Sequence, residues 1–434
     1  MVIKVKETFV FLFFCSFCMM AIDSFTYFPT SSTYRPIAFV PLLAAFLIYV
    51  TKMKLRPFFV FSFFISVIAI FHSVLMSVIL SFPSDHIGKM LVTVTLFFIM
   101  ISVFNKVIYI NRYDLDYFLS SLGKLSFYIL LVMFIVGFIQ LFLPSTISEV
   151  VTGFFSYRSN NRLQMLSGEP SMMVRNLLFY LLFFVFFYCG HQKTLMLTIG
   201  GAFLLASGSA FGYVAILLAI ALYILLFKPL LIFSIQKIFL FLFLSSLFYY
   251  LYLNYLDAYT VNKIDRILNL VTSGKGSFIS FSAFIEADGS AFMRTINPVI
   301  GFMSGKSSWY AGVGLDAYRY IYPHYILEYF PHAMNFHSVA SGVNGSSYIT
   351  SKSLYSRIYS EMGIVTFIVF IGYLSALYYN ILKLKGHRYY RFLTVAYVLA
   401  LVLVIQGDSI IYLNFFFLLT LIHIIVFQLK EGKI

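Results

Sequence analysis

The chain has 434 residues, of which 61% are hydrophobic and only 11% charged, and its mean hydropathy is +0.92. A water-soluble fold keeps roughly a quarter of its residues charged, so two or three soluble domains are excluded and the solvent must be mostly lipid. The formal net charge of +14, from 30 Lys+Arg against 16 Asp+Glu, would point to nucleic acid in a soluble protein; in a membrane protein it reports topology.

A bilayer core about 30 Å thick needs about 20 apolar residues in helix. Windows of this kind lie near 8–28, 36–51, 57–82, 89–105, 125–144, 170–189, 194–208, 210–227, 238–255, 359–382, 392–406 and 410–428. Four of them are short, so the expectation is about twelve spans, and no fewer than ten. Lys4 and Lys6 before the first run resemble a secretory signal, but Ile22-Asp23-Ser24-Phe25 offers no small-x-small cleavage site, which predicts an uncleaved first helix. Cys15 and Cys18 form C-x-x-C within that helix, and Cys189 lies beside another apolar run. Neither spacing supports a disulfide framework or a metal site.

Basic clusters occur at Lys4/Lys6, Lys52/Lys54/Arg56, Lys106/Arg112/Lys124, Lys193, Lys228/Lys237, Lys383/Lys385/Arg388/Arg391 and Lys430/Lys433. With twelve spans all of them fall on one side, which the positive-inside rule makes cytoplasmic together with both termini. The predicted fold is therefore an all-α integral membrane protein with one large loop outside. Residues 1–255 carry the first nine helices with a shorter outer loop at 145–169, 256–358 form the large outer loop, and 359–434 carry the last three helices. The large loop contains Trp309, many Tyr and charges of both signs. Loops this long are functional or disordered, and this composition predicts an ordered cap.

Ionisable residues at membrane depth are costly and are functional candidates. Arg175 lies inside the sixth span, just after Glu169-Pro170, where proline suits the first helical turn. The free amides of that turn and the positive end of the helix dipole suit an anion, and Arg158 and Arg162 precede it. The large loop adds Arg294, Arg319, Asp316, Glu328, His324, His332 and His337. Arginine suits phosphate because its planar fork donates two parallel hydrogen bonds. The histidines lack zinc spacing, so no metal is expected. Gly312-Val-Gly314-Leu-Asp-Ala317 fits the dinucleotide fingerprint but lies outside any strand–turn–helix unit, and a tight turn is the expectation. Small residues at 206–212 predict close helix approach.

The order of these features resembles a known family. Arg158/Arg162 and Ser167-Gly-Glu-Pro-Ser171 open a span, a small-residue turn follows, and Arg294…Trp309…Gly312-Val-Gly314 stand in a long outer loop. Glu361-Met-Gly363-Ile then opens the next helix. This layout, over most of the chain, resembles the Wzy-type O-antigen polymerases of the O-antigen ligase/polymerase superfamily. The resemblance implies a metal-independent membrane glycosyltransferase without cofactors in the bacterial inner membrane, its active side periplasmic. Its substrate would be an undecaprenyl-pyrophosphate-linked oligosaccharide, its surroundings membrane lipids, and its partners a chain-length regulator and a flippase of the same pathway, with no nucleic acid. Carried over by position, Arg158, Arg162, Arg175, Arg294 and Arg319 would bind the pyrophosphates or an acidic glycan. A base must also deprotonate the acceptor hydroxyl, with Glu169, His337, Asp316 and Glu361 as candidates in that order. The alternatives are an O-antigen ligase and a flippase. Ligases carry a His about ten residues before E-x-G, where this chain has Lys352-Ser353. Flippases usually lack so large an outer loop.

Overall fold

A computed structural model describes residues 2–22, 36–110, 115–143, 147, 150, 163–167, 169–207, 209–227, 289–347, 349–405, 407 and 412–430. The described residues are helical, with no strand among them. Predicted span 238–255, the first part of the large loop at 256–288, and both Arg158 and Arg162 lie outside them.

The helices are α1 (Val2–Met19), α2 (Pro36–Lys52), α3 (Pro57–Ile79), α4 (Ile87–Ile110), α5 (Leu115–Phe142), α6 (Pro170–Phe187), α7 (Lys193–Ala206) and α8 (Ala210–Phe227). They continue with α9 (Gly289–Ser307), α10 (Tyr318–Tyr329), α11 (His337–Val343), α12 (Leu354–Leu382), α13 (Tyr390–Ile405) and α14 (Leu413–Lys430). Each predicted apolar window within the described residues falls on one of them. Five helices are long and apolar enough to cross a membrane, Pro57–Ile79, Ser84–Val107, Leu115–Phe142, Pro170–Phe187 and Leu354–Leu382, and several shorter apolar ones accompany them. By length and composition the described helices are compatible with a membrane protein.

The bundle centres on α6, whose residues are mostly buried. Phe13 and Phe17 of α1, Phe179 and Phe183 of α6 and Phe417 of α14 form one aromatic cluster, with Phe13 and Phe417 stacked at 5.1 Å and Phe17 and Phe183 edge to face at 5.5 Å. Such pairs add about 0.5–1.5 kcal/mol each beyond burial. Polar side chains close the bundle: Tyr180 Oη donates to Phe17 O at 2.6 Å, and Asn176 Nδ2 donates to Ala21 O at 3.2 Å. The small residues after α7 do permit close approach, since a Cβ on Gly212 would lie 3.0 Å from Val174 of α6.

The contacts also sort the helix ends. At one end Lys106 Nζ donates to Lys54 O at 3.0 Å, and Arg388 pairs with Asp116 at 2.8 Å. The opposite end carries the described part of the large loop, a helical unit referred to below as the cap. Phe292, Ile296 and Ile300 of α9, Tyr318, Tyr322 and Ile326 of α10, and Val339 of α11 share a separate apolar core, against which Leu80 and Phe82 after α3 pack. Tyr318 Oη donates to Asn297 O at 2.9 Å, and Asn297 Nδ2 to Thr350 O at 3.1 Å. Burial pushes the Tyr318 phenol well above its usual range, helped by the neighbouring Tyr322 and Glu361, so it stays protonated as a donor.

Helix α12 begins at Leu354, five residues before the predicted window, and breaks at Gly363 (φ 83°, ψ 174°). Residues before the break are mostly buried under the cap, whereas Ile364, Val365, Ile368 and Val369 after it are exposed. The segment 310–314 lies against the break: Val313 N–H donates to Ser360 O at 2.7 Å, Gly314 N–H to Glu361 O at 2.9 Å, and Ile364 N–H to Tyr310 O at 2.9 Å. These bonds occupy groups that the interrupted helix cannot satisfy itself. A Cβ on Gly363 would sit 2.3 Å from Ala311 O, whereas Gly372 on the same helix has open space. Gly363→Ala should therefore lower the unfolding midpoint in detergent and Gly372→Ala should leave it unchanged or raise it slightly. Equal midpoints for the two variants would show that the break does not hold the cap.

Candidate functional site

The docked segment brings together two motifs that are 47 positions apart in sequence, Gly312-Val-Gly314 and Glu361-Met-Gly363. Gly312 and Gly314 have φ of 90° and 95°, the left-handed region that glycine enters without a Cβ penalty. At Gly312 a Cβ would meet Gly363 N at 2.5 Å, so the match to a dinucleotide fingerprint is a tight turn that lets two backbones touch. The turn then delivers Asp316 into the interior beside α12.

Three charged side chains meet there. Arg357 Nη2 donates to Asp316 Oδ1 at 2.6 Å, and Arg357 Nε donates to Glu361 Oε2 at 3.0 Å. All three are buried. Arg357 and Glu361 are four residues apart, on one face of α12. The same Glu361 oxygen accepts the Asp316 N–H at 3.1 Å, while Glu361 Oε1, also buried, has no hydrogen-bond partner among the described residues. From α4, Thr93 Oγ1 donates to Asp316 Oδ2 at 2.8 Å. Lys89, one turn earlier on the same face, lies half-buried within electrostatic reach of Asp316, Arg357, Arg319 and Glu361. From α3, Ser73 Oγ accepts the Leu315 N–H at 3.0 Å. Asp316 and Glu361 thus share the Arg357 guanidinium, with Lys89 a further basic group within reach. Desolvation makes such groups expensive unless each is paired, so this is a demanding arrangement to keep at the mouth of an apolar bundle.

Of the expected site residues, the structure unites Asp316 and Glu361. Arg319 follows on α10, near the same site, and pairs with Asp85 of the α3–α4 connection at 2.7 Å; Tyr320 donates to the same carboxylate. Arg294 stands apart, about three turns or roughly 16 Å along α9 from Gly305, whose backbone faces Tyr359. His337 is exposed at the start of α11. His324 pairs with Glu328 at 3.1 Å on the cap surface. Glu169 is the residue before α6, with Ser171 Oγ donating to it at 3.5 Å. Arg175 is buried within α6, its Nη1 3.5 Å from Met172 Sδ. No group of three or more His, Cys, Asp or Glu among the described residues could hold a metal ion.

Arg357, Lys89 and Thr93 were not among the expected residues. The apolar window starts at 359 and leaves Arg357 in the loop, yet the Arg357-x-x-x-Glu361 spacing carries the signal for an ion pair on a helix. Lys89 and Thr93 repeat that spacing at the mouth of α4.

Removing Arg357 leaves two buried carboxylates without their cation, a change that costs about 3–5 kcal/mol in comparable buried pairs. Arg357→Ala should sharply reduce the folded protein recovered in detergent, and Asp316→Asn, which keeps hydrogen-bonding capacity, should reduce it much less. Equal recovery of Arg357→Ala and wild type would show that the trio is not paired in the folded protein.

No protein-family model matches this chain, and no curated protein matches it.

Proposed function

We propose that this chain is an O-antigen polymerase, an integral-membrane glycosyltransferase of about twelve spans with both termini cytoplasmic. It transfers the growing polysaccharide from undecaprenyl pyrophosphate onto the next lipid-linked repeat unit at the periplasmic face of the inner membrane. The observation that carries this reading is the buried Glu361 carboxylate. One of its oxygens is fixed by Arg357 and the Asp316 N–H, and the other is without a partner among the described residues. A carboxylate oriented in this way, under a cap and at the end of an apolar bundle, suits proton abstraction from a sugar hydroxyl brought on a lipid carrier. Its position away from the basic helix ends agrees with a site on the outer side.

In the reaction the acceptor hydroxyl oxygen attacks the anomeric carbon of the donor sugar and loses its proton to Glu361. The bond from that carbon to the pyrophosphate oxygen breaks, and the lipid pyrophosphate leaves with the electron pair. Arg357 and Asp316 act as positioning residues for Glu361. Lys89 and Arg319 are close enough to the site to steady the charge growing on the pyrophosphate, which fixed cations in a water-poor site do effectively. Arg175, Arg294, Arg158 and Arg162 remain substrate-binding candidates, with Arg294, three turns along α9, assigned to the glycan rather than the reacting bond.

The test is the surface-glycan ladder of a deletion strain complemented with variants. Glu361→Gln should keep wild-type amounts of protein in the membrane and lose long chains, leaving a single repeat unit. General-base removal typically costs 10²–10⁴-fold. A full-length ladder from Glu361→Gln would exclude Glu361 as the base. Loss of all lipid-linked glycan from the outer face would favour a flippase, and loss of single units from the lipid A core a ligase.

A further inference from the structure

We propose that the outer face of α9 and the Trp309–Tyr310 elbow after it are seated in the lipid headgroup layer on the cap side. The cap would then dip into the membrane surface beside the buried Arg357–Asp316–Glu361 trio. This inference rests on the bundle lying in a bilayer and does not depend on the polymerase reading.

Val299, Phe302 and Lys306 are exposed at helical spacing along α9, and Trp309 and Tyr310 extend the same stripe. Trp309 is 90% exposed, and both aromatic residues have positive φ, 53° and 62°. The left-handed conformation is unfavourable for a non-glycine residue, so two bulky rings are held outward against their backbone preference.

The stripe is continuous with surfaces that lipid must cover. On one side Ile364 N–H donates to Tyr310 O, and α12 from Ile364 onward presents Val365 at 72% exposure with Ile368 and Val369. On the other side His72 Nε2 and Ala311 O lie 2.9 Å apart, and α3 beside it presents Phe71 at 69% exposure with Ile68 and Leu75. The part of α12 after Gly363 has about 19 residues, or roughly 28 Å of helix, close to the thickness of a bilayer core. The elbow therefore stands where the hydrocarbon ends. Tryptophan and tyrosine concentrate at that depth because an apolar ring there keeps its polar atom wet, and Lys306 on the same stripe can reach the headgroup phosphates.

Trp309 is the single tryptophan of the chain, so the intrinsic emission of the full-length protein reads this position alone. The experiment reconstitutes the protein into phosphatidylcholine vesicles carrying lipids brominated either near the top or near the end of the acyl chain. Shallow bromines should quench Trp309 at least twofold more strongly than deep ones, with emission to the blue of hydrated tryptophan. Three results would each overturn the proposal. One is fully hydrated emission, quenched by iodide but by no brominated lipid, which puts the elbow in water. Another is strongest quenching by the deep bromines, which puts it in the hydrocarbon. The third is emission that ignores bromine but changes with added lipid-free oligosaccharide, which makes the elbow a sugar platform.

Discussion

Backbone hydrogen bonding at the break in α12 is the constraint on which the rest of the cap depends. A helix interrupted next to lipid exposes amide and carbonyl groups that hydrocarbon cannot satisfy. Here the segment 310–314 supplies the partners, through Tyr310 O, Val313 N–H and Gly314 N–H. The pairing requires two backbones to touch, which is why Gly312 and Gly363 face each other without a Cβ between them. Once the segment is docked, the position of Asp316 follows, and with it the partner that Arg357 needs.

The charged trio and the break support each other. Arg357 and Glu361 lie in the last turns before Gly363, where the cap rather than lipid surrounds α12. Burying them there carries a desolvation cost that their mutual pairing offsets. The trio draws on α12 itself, the 312–316 turn and Thr93 on α4, while Ser73 on α3 holds the neighbouring Leu315 N–H. In a network assembled from such distant parts of the chain, no member can move without orphaning another. It also ties the cap to the bundle, a tie that Arg319 and Asp85 repeat nearer the surface.

Two surfaces with opposite requirements meet near Gly363. Towards α10 and α11 the cap has its own apolar core and a polar exterior, as a water-facing unit does. Towards α3 and the distal part of α12 the exposed side chains are Phe, Ile, Val and Leu. A site at that boundary can hold charged groups under protein cover while standing next to an apolar face.

By itself the sequence determined the apolar, helical character of the chain and the approximate place of each described helix of the bundle. These follow from composition and from runs of apolar residues, which are local properties. It also named Asp316 and Glu361, and marked the glycine motifs around them. It did not separate those two acids from Glu169 and His337, nor reveal Arg357, Lys89 and Thr93. Apolar windows blur at their ends, so Arg357 fell into the loop, and nothing local shows that residues 93, 316 and 357 will converge. Only the tertiary structure decided that, because the cost of burying a charge depends on which distant groups arrive to pair with it.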